Sequence, residues 1–141
     1  MRIAVDFDGT IVEHAYPEIG KPIPFAIDVL KRLQNDGHQI ILWTVREGKL
    51  LDDAVAYCRQ RGLEFYAVNR NHPEDNIAFD PRKLSVELFI DDRNLGGLPA
   101  WGVIYQMIKN NRAWQPATAD NVYSSAEQKR QGGVFSRLFK K

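Results

Sequence analysis

The fold of this chain is decided by the stretch Ile3-Ala4-Val5-Asp6-Phe7-Asp8-Gly9-Thr10, in which an apolar run ends in two carboxylates one residue apart. Side chains alternate along an extended strand, so Asp6 and Asp8 face one side while Phe7 faces the other. Two carboxylates this close repel each other unless a cation, a proton or both lie between them. Gly9 permits a turn that other residues resist. The stretch therefore predicts a strand that ends in a charged site.

Strand-like and helix-like segments alternate along the rest of the chain. Apolar runs predict strands at residues 2–6, 39–44, 64–68 and 86–90. Helical spacing of apolar residues predicts helices at 25–35 and 50–61, with Gly37 and Gly62 just beyond their ends. Residues 101–108 suit either a short strand or a helix. Repeated strand-helix-strand units predict an α/β fold with a parallel sheet and right-handed crossovers.

Length and composition favour one globular domain. The chain has 141 residues, with 19 Lys and Arg against 18 Asp and Glu, so no strongly charged partner such as nucleic acid is indicated. No run approaches the roughly 20 apolar residues that span a bilayer, and no secretory leader is visible. The single cysteine, Cys58, suits a reducing cytoplasm. We expect a cytoplasmic protein that does not act at a membrane.

The end of the chain differs in character from the rest. We assign residues 1–112 to a catalytic core and residues 113–141 to a carboxyl-terminal extension of uncertain structure. The extension ends in VFSRLFKK, which could form a basic amphipathic turn that docks on a membrane or a partner. A helix packed on the domain or a frayed terminus is the preferred interpretation.

Polar groups recur at or near the ends of the predicted strands, where the reactive crevice of a parallel α/β sheet lies. They are, in chain order, Asp6, Asp8, Thr44, Lys83, Asp91 and Asp92. This order of acid pair, hydroxyl, lysine and acid pair resembles the four motifs of the haloacid dehalogenase (HAD) superfamily of phosphohydrolases. The first motif of that superfamily, D-x-D-G-T, matches Asp6 to Thr10. The resemblance covers Ile3 to about Leu95.

The resemblance implies a three-layer, Rossmann-like fold with helices on both faces of the sheet and an Mg²⁺-dependent phosphomonoesterase activity. It makes Asp6 the nucleophile that forms an aspartyl-phosphate and Asp8 the residue that exchanges protons with the leaving group and water. Mg²⁺ would bind the Asp6 carboxylate, the Asp8 backbone carbonyl and Asp92, with Asp91 binding directly or through water. The phosphorylated substrate is not identified and could be small or macromolecular.

Further roles follow from the resemblance for the remaining motif positions. Thr44 would hydrogen-bond a phosphoryl oxygen, and Lys83 would neutralise charge on the nucleophile and the phosphoryl group. Arg82 is a rival for the lysine role because it is adjacent. By its position two residues past Thr44, and not by the resemblance, Arg46 is a candidate substrate contact, although an exposed arginine without a role is the commoner interpretation. His14 and Trp43 are expected to be structural.

The spacing of the motifs leaves no room for the cap domain that gates many HAD enzymes. The connection from Gly9 to Pro24 is too short to fold by itself, and the segment between the second and third motifs is already used by the core. An open site would admit bulky substrates, or a second subunit of a homo-oligomer could close it. Residues 11–24 and 69–82 would form the rim.

Three alternatives remain open from the sequence. A phosphotransferase or mutase would use the same phospho-aspartate and pass the phosphoryl group to another acceptor. A receiver-like signalling module would also combine acids, a hydroxyl and a lysine, but its acceptor aspartate ends the third strand, where this chain has Val68-Asn69-Arg70. A HAD-like scaffold could bind its ligand without turnover.

Overall fold

The computed structural model describes residues 1–76 and 83–113 of the chain. In chain order the elements are β1 (Arg2–Val5), α1 (Ala26–Asn35), β2 (Gln39–Leu42), α2 (Gly48–Arg59), β3 (Ala67–Val68), β4 (Leu88–Ile90) and α3 (Trp101–Lys109). The alternation of strands and helices predicted from the sequence is confirmed, and the ambiguous segment near Trp101 is a helix. Arg82 and the tail from residue 114 lie outside the described residues.

All four strands are shorter than the apolar runs predict, β1 by a single residue. β2 ends at Leu42 because the backbone of Thr44, two residues later, pairs with the side chain of Asn69 and not with a neighbouring strand. β3 comprises only Ala67 and Val68, which pair with the last two residues of β2. β4 likewise begins two residues later than predicted, at Leu88. Just before β3 and β4 the pairing continues through single backbone bonds, from the amide of Tyr66 to the carbonyl of Ile40 and from the amide of Glu87 to the carbonyl of Arg2.

The four strands form one parallel sheet in the order β3-β2-β1-β4. The chain builds outward from β1 through β2 to β3 and then returns to place β4 on the other side of β1. The carboxyl ends of β1 and β4 are therefore a topological switch point, where ligands of open α/β sheets bind. The parallel α/β class predicted from the sequence is confirmed by this topology.

Apolar side chains cover the sheet. One face presents Ala4, Ile41 and Ala67, which lie side by side in register and pack with Leu84. The amphipathic helix α1 contacts β2 and buries its apolar residues, Ala26, Val29, Leu30 and Leu33. Among the described residues, no helix is both long and apolar enough to cross a membrane.

The connection between β1 and α1 doubles back on itself. The amide of Glu13 donates to the carbonyl of Lys21, and the amide of Ile23 donates to the carbonyl of Ile11. Ile11 is buried, whereas Tyr16 at the far end of this hairpin-like loop is 54% exposed. The loop thus has an anchored base beside β1 and an exposed tip.

The chain divides into a compact unit from Met1 to Trp101 and a second unit from Gly102 onward. All four strands, α1 and α2 belong to the first unit. The predicted boundary after residue 112 stays a prediction. Every residue of the site described below belongs to the first unit.

Candidate active site

Three carboxylates meet at the switch point between β1 and β4. Asp6 follows β1 directly and its amide donates to the carbonyl of Ile90, the last residue of β4, at 3.0 Å. Asp91 and Asp92 continue the chain from that residue. One carboxylate oxygen from each of the three acids lies within 4.8 Å of the others. The two acid motifs predicted from the sequence are therefore brought together by the pairing of their strands.

The electrostatic environment of Asp6 disfavours a bare negative charge. Burial, and then the charges of Asp91, Asp92 and Asp8, raise the pKa of Asp6 from 3.8 to about 6, against the opposing effect of a backbone hydrogen bond from Phe7. A carboxylate in such a cluster gains from any cation that enters it. The arrangement therefore favours binding of a positive ion beside Asp6.

Asp92 is oriented by its backbone and carries an unsatisfied oxygen. Its amide donates to the hydroxyl of the buried residue Thr10 at 3.1 Å, and the carbonyl of Thr10 in turn accepts from the indole of Trp101 at 3.0 Å. Oδ1 of Asp92 is buried and has no hydrogen-bond partner. Buried polar atoms nearly always have one, and a hard divalent cation such as Mg²⁺ binds carboxylate oxygens. The donor set of Asp6, Asp91 and Asp92 fits such an ion.

Gly9 is required by this packing as well as by its backbone angle. Its φ of 83° is in the left-handed region, and a Cβ built on it would lie 2.4 Å from Oδ2 of Asp92. The glycine of the first motif thus lets the chain turn and leaves space for the carboxylate that follows β4.

Replacing Gly9 with alanine is expected to weaken binding of a divalent cation by about tenfold or more, because the new methyl group displaces an acid of the cluster. Left-handed backbone strain adds a cost of about 1–2 kcal/mol to folding. The change in melting temperature on adding Mg²⁺ to protein stripped with EDTA measures the loss of binding.

The matched control for this prediction is Gly37→Ala. Gly37 has a φ of 88° but no atom within 4 Å of its built Cβ, so the substitution introduces the same strain without the clash. Equal Mg²⁺ responses in the two variants would show that contact with Asp92 does not matter for metal binding.

Asp8 is held by a buried arginine. Only 5% of Asp8 and none of Arg46 is exposed, and Nε and Nη2 of Arg46 donate to the two carboxylate oxygens at 2.7 Å each. The hydrogen bond to Asp8 is the main cause of a raised pKa at Arg46. Each oxygen of Asp8 keeps a further lone pair, and Asp8 lines the same pocket as Asp6. The predicted proton exchange by Asp8 stays a prediction.

Thr44 is anchored through Asn69. The amide of Thr44 donates to Oδ1 of Asn69 at 2.9 Å, and Nδ2 of Asn69 donates back to the carbonyl of Thr44 at 3.0 Å. The hydroxyl oxygen of Thr44 accepts from the amide of Arg46 at 3.2 Å. Because this oxygen acts as an acceptor, its own hydrogen is available to donate into the pocket.

A pocket of about 350 Å³ joins these groups. Its lining residues are Asp6, Asp8, His14, Trp43, Thr44, Val45, Asp91 and Arg93. The sequence did not single out Val45 or Arg93, and it interpreted His14 and Trp43 as structural. Trp43 both lines the pocket and packs against the core. Arg93 could have been noticed because it directly follows the acid pair.

Arg93 stands at the exposed edge of the pocket. Its amide donates to Oδ1 of Asp91 at 2.8 Å, and its Nη2 lies 3.4 Å from Nε2 of His14. Arg93 therefore adds an arginine to the lining of the pocket, beside His14.

Three predicted site residues, Asp92, Lys83 and Arg46, are not among those that line the pocket. Lys83 is exposed, with Nζ 5.8 Å from the ring centre of Phe89. Its role in charge neutralisation stays a prediction, and its rival Arg82 is outside the described residues. Arg46 lies behind Asp8 instead of facing the pocket, and the interpretation of Arg46 as an exposed arginine is wrong.

Comparison with known proteins gives a structural relative and no assigned activity. No protein-family model and no curated protein matches the chain. The chain is similar to the solved structure of a conserved protein from Bacteroides thetaiotaomicron, with 63% identity and a TM-score of 0.75. The match covers 79% of this chain and 91% of the other.

Proposed function

The chain belongs to the same family as the conserved protein from Bacteroides thetaiotaomicron, and we propose that it is an Mg²⁺-dependent phosphomonoester hydrolase of the HAD type. The main observation behind this proposal is that carboxylate oxygens of Asp6, Asp91 and Asp92 lie within 4.8 Å of one another at the switch point. The buried, unpartnered oxygen of Asp92 supports it, as does the presence of Thr44 in the pocket that Asp6 and Asp91 line.

Asp6, Asp91 and Asp92 would hold the magnesium ion. When bound, Mg²⁺ supplies positive charge that offsets the repulsion between the carboxylate nucleophile and a phosphate dianion. The Asp8 backbone carbonyl is a further proposed ligand on the ground of the family resemblance.

Asp6 is the proposed nucleophile. One of its carboxylate oxygens forms a bond to phosphorus while the bond from phosphorus to the ester oxygen breaks, and the alcohol departs. A water molecule then attacks phosphorus, releases inorganic phosphate and restores the Asp6 carboxylate. Asp8 would give a proton to the departing oxygen in the first step and take one from water in the second.

Thr44 is the proposed phosphoryl-binding hydroxyl. Its oxygen is occupied by the amide of Arg46 and its backbone is held by Asn69, so its orientation is set before substrate arrives. Preorganised donors of this kind stabilise charge in a phosphoryl-transfer transition state at no reorganisation cost. Lys83 is proposed to add positive charge from the segment that leads to β4.

We extend the proposal to the three-layer HAD arrangement without a cap domain. The loop between β1 and α1 is closed on itself by pairing between Val12 and Pro22 and forms one side of the site. An open pocket of this kind suits substrates with bulky leaving groups, or closure by a second copy of the chain. A cytoplasmic location is part of the same proposal.

Phosphate release from a panel of phosphate monoesters tests the proposal. Activity should require Mg²⁺ and disappear in EDTA, and acid quenching with a labelled substrate should trap a phosphoprotein that hydroxylamine cleaves, as expected for an acyl phosphate. Asp52→Asn is a matched control, because Asp52 is an exposed acid on α2. Trapped phosphoprotein without phosphate release would favour a phosphotransferase, and the absence of both would contradict the proposal.

A further inference from the structure

We infer that Arg46 is a positioning residue that sets the geometry of Asp8 and Thr44 and couples both to the loop segment Tyr16–Glu18. The inference rests on the proposed phosphoryl transfer and assigns a role within it to a residue that the pocket does not expose. Arg46 acts through its neighbours and does not touch substrate.

Four of the five side-chain N–H groups of Arg46 donate to groups of the protein. Beyond the two bonds to Asp8, Nη1 donates to the carbonyl of Pro17 at 2.9 Å and Nη2 donates to the carbonyl of Glu18 at 2.8 Å. One planar guanidinium therefore connects a pocket carboxylate with the tip of the β1–α1 loop. The fork of donors fixes both the position and the plane of the Asp8 carboxylate.

The backbone of Arg46 adds a second connection, because its amide donates to the hydroxyl oxygen of Thr44. Aromatic rings hold the guanidinium, with the ring centre of Phe7 at 5.1 Å and that of Tyr16 at 5.3 Å. Phe7 lies between Asp6 and Asp8 in the sequence. Arg46 thus orients both the proposed acid–base group, Asp8, and the proposed phosphoryl-binding hydroxyl of Thr44.

Stability alone is a poor explanation for this arrangement. Replacing a buried ion pair by apolar residues of similar volume is often neutral or stabilising, so a fully buried arginine is not the simplest way to hold a loop in place. The bidentate contact instead confers orientation on Asp8, which lines the pocket. A substrate that contacts the exposed loop tip would shift the carbonyls of Pro17 and Glu18. Through Arg46, this shift would change the position of the Asp8 carboxylate.

The test is steady-state hydrolysis of an aryl phosphate in saturating Mg²⁺ by Arg46→Lys. Lysine keeps the charge but lacks the fork, so kcat should fall about 100-fold, as for other small misplacements of catalytic groups, while KM changes little. In Arg46→Ala, added methylguanidinium should restore part of the kcat. It should not restore activity to Asp8→Asn, in which the partner of the guanidinium is missing.

The matched control is Arg61→Lys, since Arg61 is an exposed arginine that also contacts an aromatic ring, that of Tyr57. Near-ultraviolet circular dichroism gives the folded fraction of each variant. A folded Arg46→Lys protein with native kcat overturns the inference, and so does a loss of kcat that only matches the unfolded fraction. Absence of activity in the native protein instead rejects the proposed function, and the positioning role falls with it.

Discussion

Replacing Asp6 with asparagine is expected to lower the kcat for Mg²⁺-dependent phosphate release by about three orders of magnitude or more, the scale seen when a member of a covalent catalytic group is removed. An amide oxygen is a poor nucleophile and carries no charge to attract the cation. The measurement is phosphate release under saturating Mg²⁺, with trapping of the phosphoprotein as a second readout.

The loss of activity should not come from unfolding. The pKa of Asp6 is raised in the folded protein from 3.8 to about 6, so as pH rises the unfolded chain releases this proton first. The cost of ionising Asp6 in the metal-free fold therefore grows as the pH rises from 3.8 and is complete above about 6. Asp6→Asn should melt higher than the native protein at neutral pH in EDTA, with the gap closing in acid.

These results separate the chemical role of Asp6 from its structural one. Asp52→Asn, at an exposed position on α2, should change neither activity nor the pH dependence of melting. A folded Asp6→Asn protein with native activity would reject Asp6 as the nucleophile. A variant that melts lower than the native protein at neutral pH would instead show that the acid cluster is not repulsive in the metal-free state.

Breaking the ion pair between Asp8 and Arg46 is expected to lower the free energy of unfolding by about 3–5 kcal/mol, because it leaves the other charge buried without a partner. Arg46→Met leaves the Asp8 carboxylate buried without its partner, and Asp8→Asn leaves the guanidinium of Arg46 without its partner. The double variant should lose less than the sum of the two single losses, since neither charge then remains. Chemical denaturation in EDTA at neutral pH measures all four proteins of the cycle.

The surface ion pair of Lys49 and Asp53 is the control for this cycle. Its side chains are 85% and 46% exposed, against 0% and 6% for Arg46 and Asp8. Lys49→Met should leave stability nearly unchanged because solvent screens exposed pairs. Additive losses in the Asp8–Arg46 cycle would contradict the coupling that the buried geometry implies.

Local pattern explains why much of the fold was predictable. The apolar runs identified all four strands, and the helical spacing before Gly37 and Gly62 placed α1 and α2 to within two residues. The position of an acid pair after β1 and another after β4 is also a local property. Because parallel strands share one carboxyl edge, local pattern was enough to predict that these acids belong to one site.

The choice of long-range polar partners was not predictable. Nothing near Arg46 in the sequence indicates that its guanidinium binds Asp8 and two carbonyls of a distant loop. No sequence pattern indicates the pairing of Asn69 with Thr44 either. There the side-chain amide of Asn69 takes the place of a strand hydrogen bond after both strands have ended. Such contacts depend on where loops travel after leaving the sheet.

The sequence by itself determined a parallel α/β chain with acidic groups at its strand ends, since backbone periodicity and turn residues act over a few neighbours. Tertiary structure decided the strand order that makes β1 and β4 adjacent, and with it the 4.8 Å cluster of Asp6, Asp91 and Asp92. It also decided that Arg46 is buried against Asp8. The physical reason is that a buried charge must find its partner in space, wherever along the chain that partner lies.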